Sequence, residues 1–257
     1  MNETKADVLI FGSSKANHHY YPETFEKELN LNYYNVGRDG NFIFYHYAVL
    51  KSILKRHNPK LIILDLKNDE FAQEPDSYDR LASLLPYYKS HPEINEVIEI
   101  KSKFEKVKLL SNIYPYNSAI LTIFVGNSEF NKKRKADNKG YVPLKREMSE
   151  DVIAEKRSSY KLDTNKINIY KSFIAECLKA KTKVIVVCSP SYNPQSDGSS
   201  MTIGKNISKD NGVDFFDYSN DSIFSKKLNY FSDPEHLNEM GSMKFSELLC
   251  QKIKGRQ

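Results

Sequence analysis

Short apolar runs alternate with amphipathic stretches along the first third of the chain, and again along the last third. Val8-Leu9-Ile10-Phe11 is a continuous apolar run stopped by Gly12. A run of that length with no polar member reads as a strand covered on both faces, as parallel sheets require. Pro22 opens a helical stretch around Glu23–Leu29. Tyr33–Val36 reads as a second strand ending at Gly37, and Ile43, Tyr47, Leu50 and Leu54 recur at helical spacing until Asn58-Pro59. Leu61–Leu64 is a third buried strand. Farther on, Ile167, Tyr170, Ile174 and Cys177 share one face of a long helix, and Lys183–Cys188 is a fourth strand stopped at Pro190. Val213–Phe216 is a fifth. Phe245, Leu248, Leu249 and Ile253 stripe a last helix, with Asn238 placed to cap it.

Strands alternating with helices predict a parallel sheet with helices on both sides. Right-handed crossovers make that a three-layer α/β/α sandwich around a five-stranded sheet. The 257 residues fit one such domain. Residues 72–160 break the alternation, and a structureless loop of that length is out of place in a compact domain. They read as an insertion after the third strand. It holds helices around Lys101–Leu110 and Ala119–Val125 and then a polar loop through Tyr141-Val142-Pro143. Its basic run, Asn131–Lys135, reads as a solvated surface.

Composition narrows the function classes. Hydrophobic residues at 40% and charged residues at 28% give an ordinary soluble balance. The net charge of +5 is mild and mixed along the chain, which argues against a nucleic-acid footprint. Three scattered cysteines make neither a disulfide framework nor a zinc site. No apolar run approaches the roughly 18 residues that span a bilayer. Met1–Lys5 leads straight into the first strand with no visible leader. The chain reads as cytoplasmic if complete, and as secreted or envelope-bound if a leader has been removed. Composition leaves the oligomeric state open.

Candidate chemistry gathers at the expected carboxyl ends of the strands, where open α/β folds place their sites. Gly12-Ser13-Ser14 lies between the first strand and a helix; a serine there is also a common N-cap. Asp233-Pro234-Glu235-His236 precedes the last helix. An Asp three residues before a His sets a carboxylate beside one ring nitrogen and leaves the other for a hydroxyl. After the second strand, Gly40 offers a bare backbone N–H. After the third, Asn68 offers a side-chain amide, although Asn also makes turns.

These four segments, in order, resemble the four sequence blocks of the SGNH (GDSL-like) hydrolases. Gly12-Ser13-Ser14 resembles the Gly-Asp-Ser block, Gly40 the second-block glycine, Asn68 the third-block asparagine, and Asp233–His236 the Asp-x-x-His block. The resemblance spans the chain outside the insertion. It implies a flavodoxin-like sheet and a serine esterase with Ser14 as nucleophile, His236 as base and Asp233 as its partner. The Ser14 N–H, Gly40 and Asn68 would form the oxyanion hole. It implies no metal and no other cofactor. Ser13 stands where the family has Asp, which leaves two adjacent serines; the family frame favours Ser14. Lys67 replaces a small residue and offers a cation to an anionic substrate. His18 is expected to line the pocket, and Tyr141 to bear on substrate choice from a lid. The expected substrate is an acyl or acetyl ester on a carbohydrate or envelope polymer. An acyltransferase acting on a polysaccharide and a non-catalytic carbohydrate-binding relative are the alternatives.

Overall fold

The computed structural model describes residues 4–117, 138–151, 160–193 and 198–256. The chain runs β1 (Val8–Phe11), α1 (Ser14–His19), α2 (Pro22–Leu29), β2 (Tyr33–Asn35), α3 (Ile43–Leu54) and β3 (Leu61–Asp65). The insertion follows with α4 (Pro75–Asp79), α5 (Asn95–Glu99) and α6 (Glu105–Lys108), joined by short 3-10 turns. Then come α7 (Thr164–Lys179), β4 (Lys183–Cys188), α8 (Ser199–Asp210), β5 (Asp214–Asp217) and α9 (Glu239–Lys254).

All five strands are parallel, in the order β2-β1-β3-β4-β5. Val8 sits opposite both Tyr33 and Leu61, so the sheet grows to either side of β1. The strand order therefore reverses beside β1, and the crevice outside its carboxyl end is where such sheets bind ligands.

The pleat divides each strand between two cores. Leu9, Phe11, Ile62, Leu64, Val184 and Val186 pack against α3, α7 and part of the insertion. Val8, Ile10, Leu61, Ile63, Ile185 and Val187 pack against α1, α2 and α9. Both faces are covered, which is why the strand sequences carry no polar alternation. No described helix is long and apolar enough to cross a membrane.

The expected strands and flanking helices form, with ends shifted by a residue or so. Asn238 caps α9 by accepting the Gly241 N–H at 2.9 Å. Two expectations change. α8 was not foreseen, because Ser199–Asp210 is rich in weak helix formers. Its Gly204 packs so tightly that a β-carbon there would come within 2.5 Å of Leu66. The single helix expected over Lys101–Leu110 is instead only the turn Glu105–Lys108, with α5 preceding it. Ile94, Val97 and Ile98 are buried in the α3 core, whereas Phe104, Val107 and Leu110 are exposed. Packing thus orders the earlier segment and leaves the later one only Leu109 as an apolar side chain to bury. Ala119–Val125 and Asn131–Lys135 lie outside the described residues.

Asp163 shows how the insertion is tied back. It caps α7 through the N–H groups of Asn165 and Lys166 and accepts the Tyr78 hydroxyl at 2.8 Å. Asp163→Ala is expected to lower unfolding stability by about 1–2 kcal/mol, measured by urea denaturation; an unchanged midpoint would show the cap to be dispensable.

Candidate active site

β1 leaves the sheet at Gly12, whose φ is +141°. A β-carbon there would lie 2.8 Å from the Asp65 carbonyl and 2.9 Å from Ala16 Cβ. Only glycine fits both the dihedral and the space. The turn delivers Ser14 to the first position of α1, with Ser13 outside as the N-cap residue and making no side-chain cap bond. Of the two serines, Ser14 meets the imidazole: its Oγ is 2.8 Å from His236 Nε2.

The other face of the ring is held by Asp233. Both carboxylate oxygens lie 2.9 Å from His236 Nδ1. Oδ1 also accepts the backbone N–H groups of Glu235 and His236. This network assigns the proton to Nδ1 and leaves Nε2 as the acceptor for the serine. Half-burial tends to raise the Asp233 carboxyl, but the His236 ring and the two backbone N–H groups outweigh it and hold the group below the usual range. The carboxylate therefore stays ionised beside the ring, as an imidazolium partner must.

The helix that carries Ser14 also grips the segment that carries His236. Lys15 Nζ donates to the Pro190 carbonyl and Ser191 Oγ and pairs with Glu235 at 3.3 Å. Burial disfavours the ammonium, yet Glu235, with further help from Asp65, raises its affinity for the proton overall. His19 Nε2 accepts the N–H of Leu237 at 3.0 Å, which leaves Nδ1 to donate to Ser189 Oγ. Beneath them, Asp65 accepts the Tyr20 hydroxyl. Sequence reading missed Lys15, Asp65 and Glu235, and offered His19 only beside His18 as a residue that could line the pocket. Lys15 and Glu235 each adjoin a motif residue, but nothing in the sequence pairs positions so far apart.

Gly40 follows β2 in a turn with φ +67°. The loop is pinned to β1 by the bond from Arg38 N–H to the Gly12 carbonyl at 3.0 Å. Among the described residues, neither the Ser14 N–H nor the Gly40 N–H donates to a protein acceptor. A β-carbon on Gly40 would meet the Arg80 guanidinium at 3.4 Å, so a cation from the insertion stands beside this loop. Asn68 follows β3, and its carbonyl accepts the Tyr160 hydroxyl at 3.4 Å.

Three expected substrate contacts are placed differently. Lys67 Nζ is paired with Asp69 at 3.0 Å, so its charge is met within its own loop. His18 is buried and both its ring nitrogens are engaged, by the Val142 carbonyl at 2.7 Å and Asp39 at 3.2 Å. Its ring stands edge-on to His236 with centroids 5.5 Å apart, so it packs against that imidazole and has no free nitrogen for a ligand. Tyr141 is 1% exposed, with its hydroxyl against Ser242 and its ring against Tyr21. It is a core residue that anchors the end of the insertion and not a lid residue. His57 and His91 bind the Ala6 carbonyl and Glu93 respectively.

No sequence-family model matches the chain, and a search of curated proteins finds no match. Solved structures do match. A psychrotrophic esterase from Pseudoalteromonas sp., inhibited by monoethylphosphonate, aligns over 96% of this chain and 96% of its own, with 10% identity and a TM-score of 0.50. What this chain shares with it is the fold, a five-stranded parallel sheet between helices that fits the SGNH hydrolase fold. An acetyl xylan esterase aligns over 97% of this chain and 98% of its own, at 12% identity and TM-score 0.47. A GDSL-like lipase from Bacteroides thetaiotaomicron covers 97% and 88%, at 11% identity and TM-score 0.47.

An open groove of about 790 Å³ runs from α1 along β2. Asn17, Tyr34, Gly37, Arg38, Tyr45 and Tyr87 are among the residues that line it, whereas Ser14 and His236 are not. The Arg38 guanidinium sits 5.4 Å from the Tyr45 ring centroid.

Burial, with Lys15 and His236 nearby, pushes His19 well below its ordinary value. It is neutral in the fold, whereas the unfolded chain protonates it near about 6.5. Its contribution to stability is full above that pH and is lost as pH falls toward the depressed value. His19→Gln, which keeps an acceptor for Leu237, is therefore expected to flatten the fall in urea stability between pH 7 and 5 relative to wild type. Parallel curves for the two proteins would contradict this.

Proposed function

We propose that this chain hydrolyses carboxylic esters, with Ser14 as nucleophile, His236 as general base and acid, and Asp233 orienting the ring. The observation that carries the reading is the relay from Ser14 Oγ through His236 to Asp233, with contacts of 2.8 and 2.9 Å, on the fold shared with a solved esterase. A hydroxyl is a weak nucleophile until a neighbouring base takes its proton, and the ring nitrogen is within proton-transfer distance.

In the first half-reaction His236 Nε2 takes the Ser14 proton as Oγ adds to the ester carbonyl. The negative charge that develops on the carbonyl oxygen faces the Ser14 N–H, the Gly40 N–H and the Asn68 amide. The two backbone donors have no protein acceptor among the described residues, which leaves them available to an oxyanion. The tetrahedral adduct collapses as His236 gives the proton to the leaving alcohol, and an acyl-serine remains. Water then repeats the sequence in reverse with His236 as base, and carboxylate leaves. Asp233 stays ionised throughout and stabilises the imidazolium.

For the substrate we assign a short acyl ester carried on a carbohydrate. The support is the open groove that Asn17 of the nucleophile helix lines together with Arg38, Tyr34, Tyr45 and Tyr87. Aromatic rings with polar tips suit a sugar, whereas a long acyl chain calls for a closed apolar slot.

Ser14→Ala is expected to abolish turnover of a short-chain nitrophenyl ester with an unchanged melting transition; full activity in this variant would remove Ser14 from the chemistry. Asn68→Ala is expected to lower kcat about 100- to 1000-fold with a much smaller change in KM. A wild-type kcat would exclude Asn68 from the oxyanion site.

A further inference from the structure

We infer that Glu70 is a positioning residue: its carboxylate ties together the two loops that carry Gly40 and Asn68. The inference rests on the ester-hydrolase reading above. Glu70 lies two residues after Asn68, in the loop that leaves β3. Ile43 lies three residues after Gly40 and is the first residue of α3. The Ile43 N–H donates to Glu70 Oε1 at 2.8 Å, wholly inside the protein.

The geometry gives this one bond a particular reach. The first N–H groups of a helix have no partner within it and are met from outside. Phe42, which precedes α3, makes no side-chain cap bond, so Glu70 supplies the cap from another part of the chain. Each loop has its own anchor. Arg38 N–H holds the first to Gly12. The second is held by Glu70 N–H to the Lys67 carbonyl, Phe71 N–H to Ser200 and Lys166 Nζ to the Ala72 carbonyl. The Glu70–Ile43 bond spans the gap between the two sets. Oxyanion donors act by being held where charge will develop, and misplacement of about 1 Å can cost 100-fold in rate.

The surroundings show that the acid is costly to keep. Burial pushes Glu70 up to about 7, although Lys166 from α7, the Ile43 N–H and Lys67 favour its charge, with Asp69 opposing them. Lys166 itself is fully buried, over the Phe42 ring at 4.3 Å from its centroid. An apolar residue here would leave the buried Ile43 N–H without this acceptor and would take a carboxylate from beside the buried Lys166 ammonium.

Two substitutions separate the bond from the packing. Glu70→Gln keeps an acceptor at the same reach; Glu70→Met fills the same volume without one. Turnover of a short-chain nitrophenyl ester and amide hydrogen exchange at Ile43 are measured for both, beside wild type and Ser14→Ala. Glu70→Met is expected to lose at least about tenfold in kcat with KM nearly unchanged, and to lose protection at Ile43. Glu70→Gln is expected to stay within about threefold of wild type, with protection retained. Equal kcat values, or equal Ile43 protection, in the two variants would overturn the inference. If wild type shows no turnover that Ser14→Ala removes, the ester-hydrolase reading has failed, and with it the inference that Glu70 positions catalytic donors; the exchange data then report the bond alone.

Discussion

The hydrogen bond between Ser14 Oγ and His236 Nε2 joins residues 222 positions apart, and the structure has to satisfy it from both ends. The serine is fixed by the exit of a central strand through Gly12, where no side chain fits. The imidazole is fixed by a short loop whose carbonyls and N–H groups are almost all committed: Ser232 N–H to the His236 carbonyl, Tyr192 N–H to the Pro234 carbonyl, and Leu237 N–H to His19. Parallel strands are what make the meeting possible. They bring every carboxyl end to one edge, so residues from remote parts of the chain share a few ångströms of surface.

Beneath that bond lies a layer of largely buried polar groups, Lys15, His19, Asp65, Tyr20 and Ser189, with the half-exposed Glu235 at its rim. Buried polar groups are destabilising unless their partners are in place. Here the partners come from α1, β3, the segment after β4 and the loop before α9, so the layer acts as a fastener between elements. It also sets charge states. Lys15 stays charged between Glu235 and Asp65, and His19 stays neutral because it is buried beside Lys15 and His236, which leaves Nε2 to accept the Leu237 N–H. An imidazole such as that of His236, set above neighbours of fixed charge, keeps one orientation.

The insertion plays a different part from the one its polar sequence suggested. Tyr141 ends in the core, and the Gly140 and Asn138 region adds to the edge of the sheet, with Lys139 accepting the Asn35 N–H. Arg80, which no motif marks, stands beside Gly40. The same segment thus closes the sheet edge and brings a cation toward the site.

Periodicity in the sequence determined the five strands and the long helices α3, α7 and α9, though not α8, because burial on both faces of a parallel strand leaves an uninterrupted apolar run. It also placed the four motif segments at strand ends, since glycine, asparagine and the Asp-x-x-His spacing are local requirements of turn and ring geometry. It did not determine that Lys15 would find Glu235, that Glu70 would cap α3, or that His18 and Tyr141 would be enclosed. Those outcomes depend on which side chains the folded chain brings within about 3 Å of each other. Charge, hydroxyl and ring look alike in sequence whether they face water or a partner from the other end of the chain. Only the tertiary structure made that choice, through the cost of burying a polar group without one.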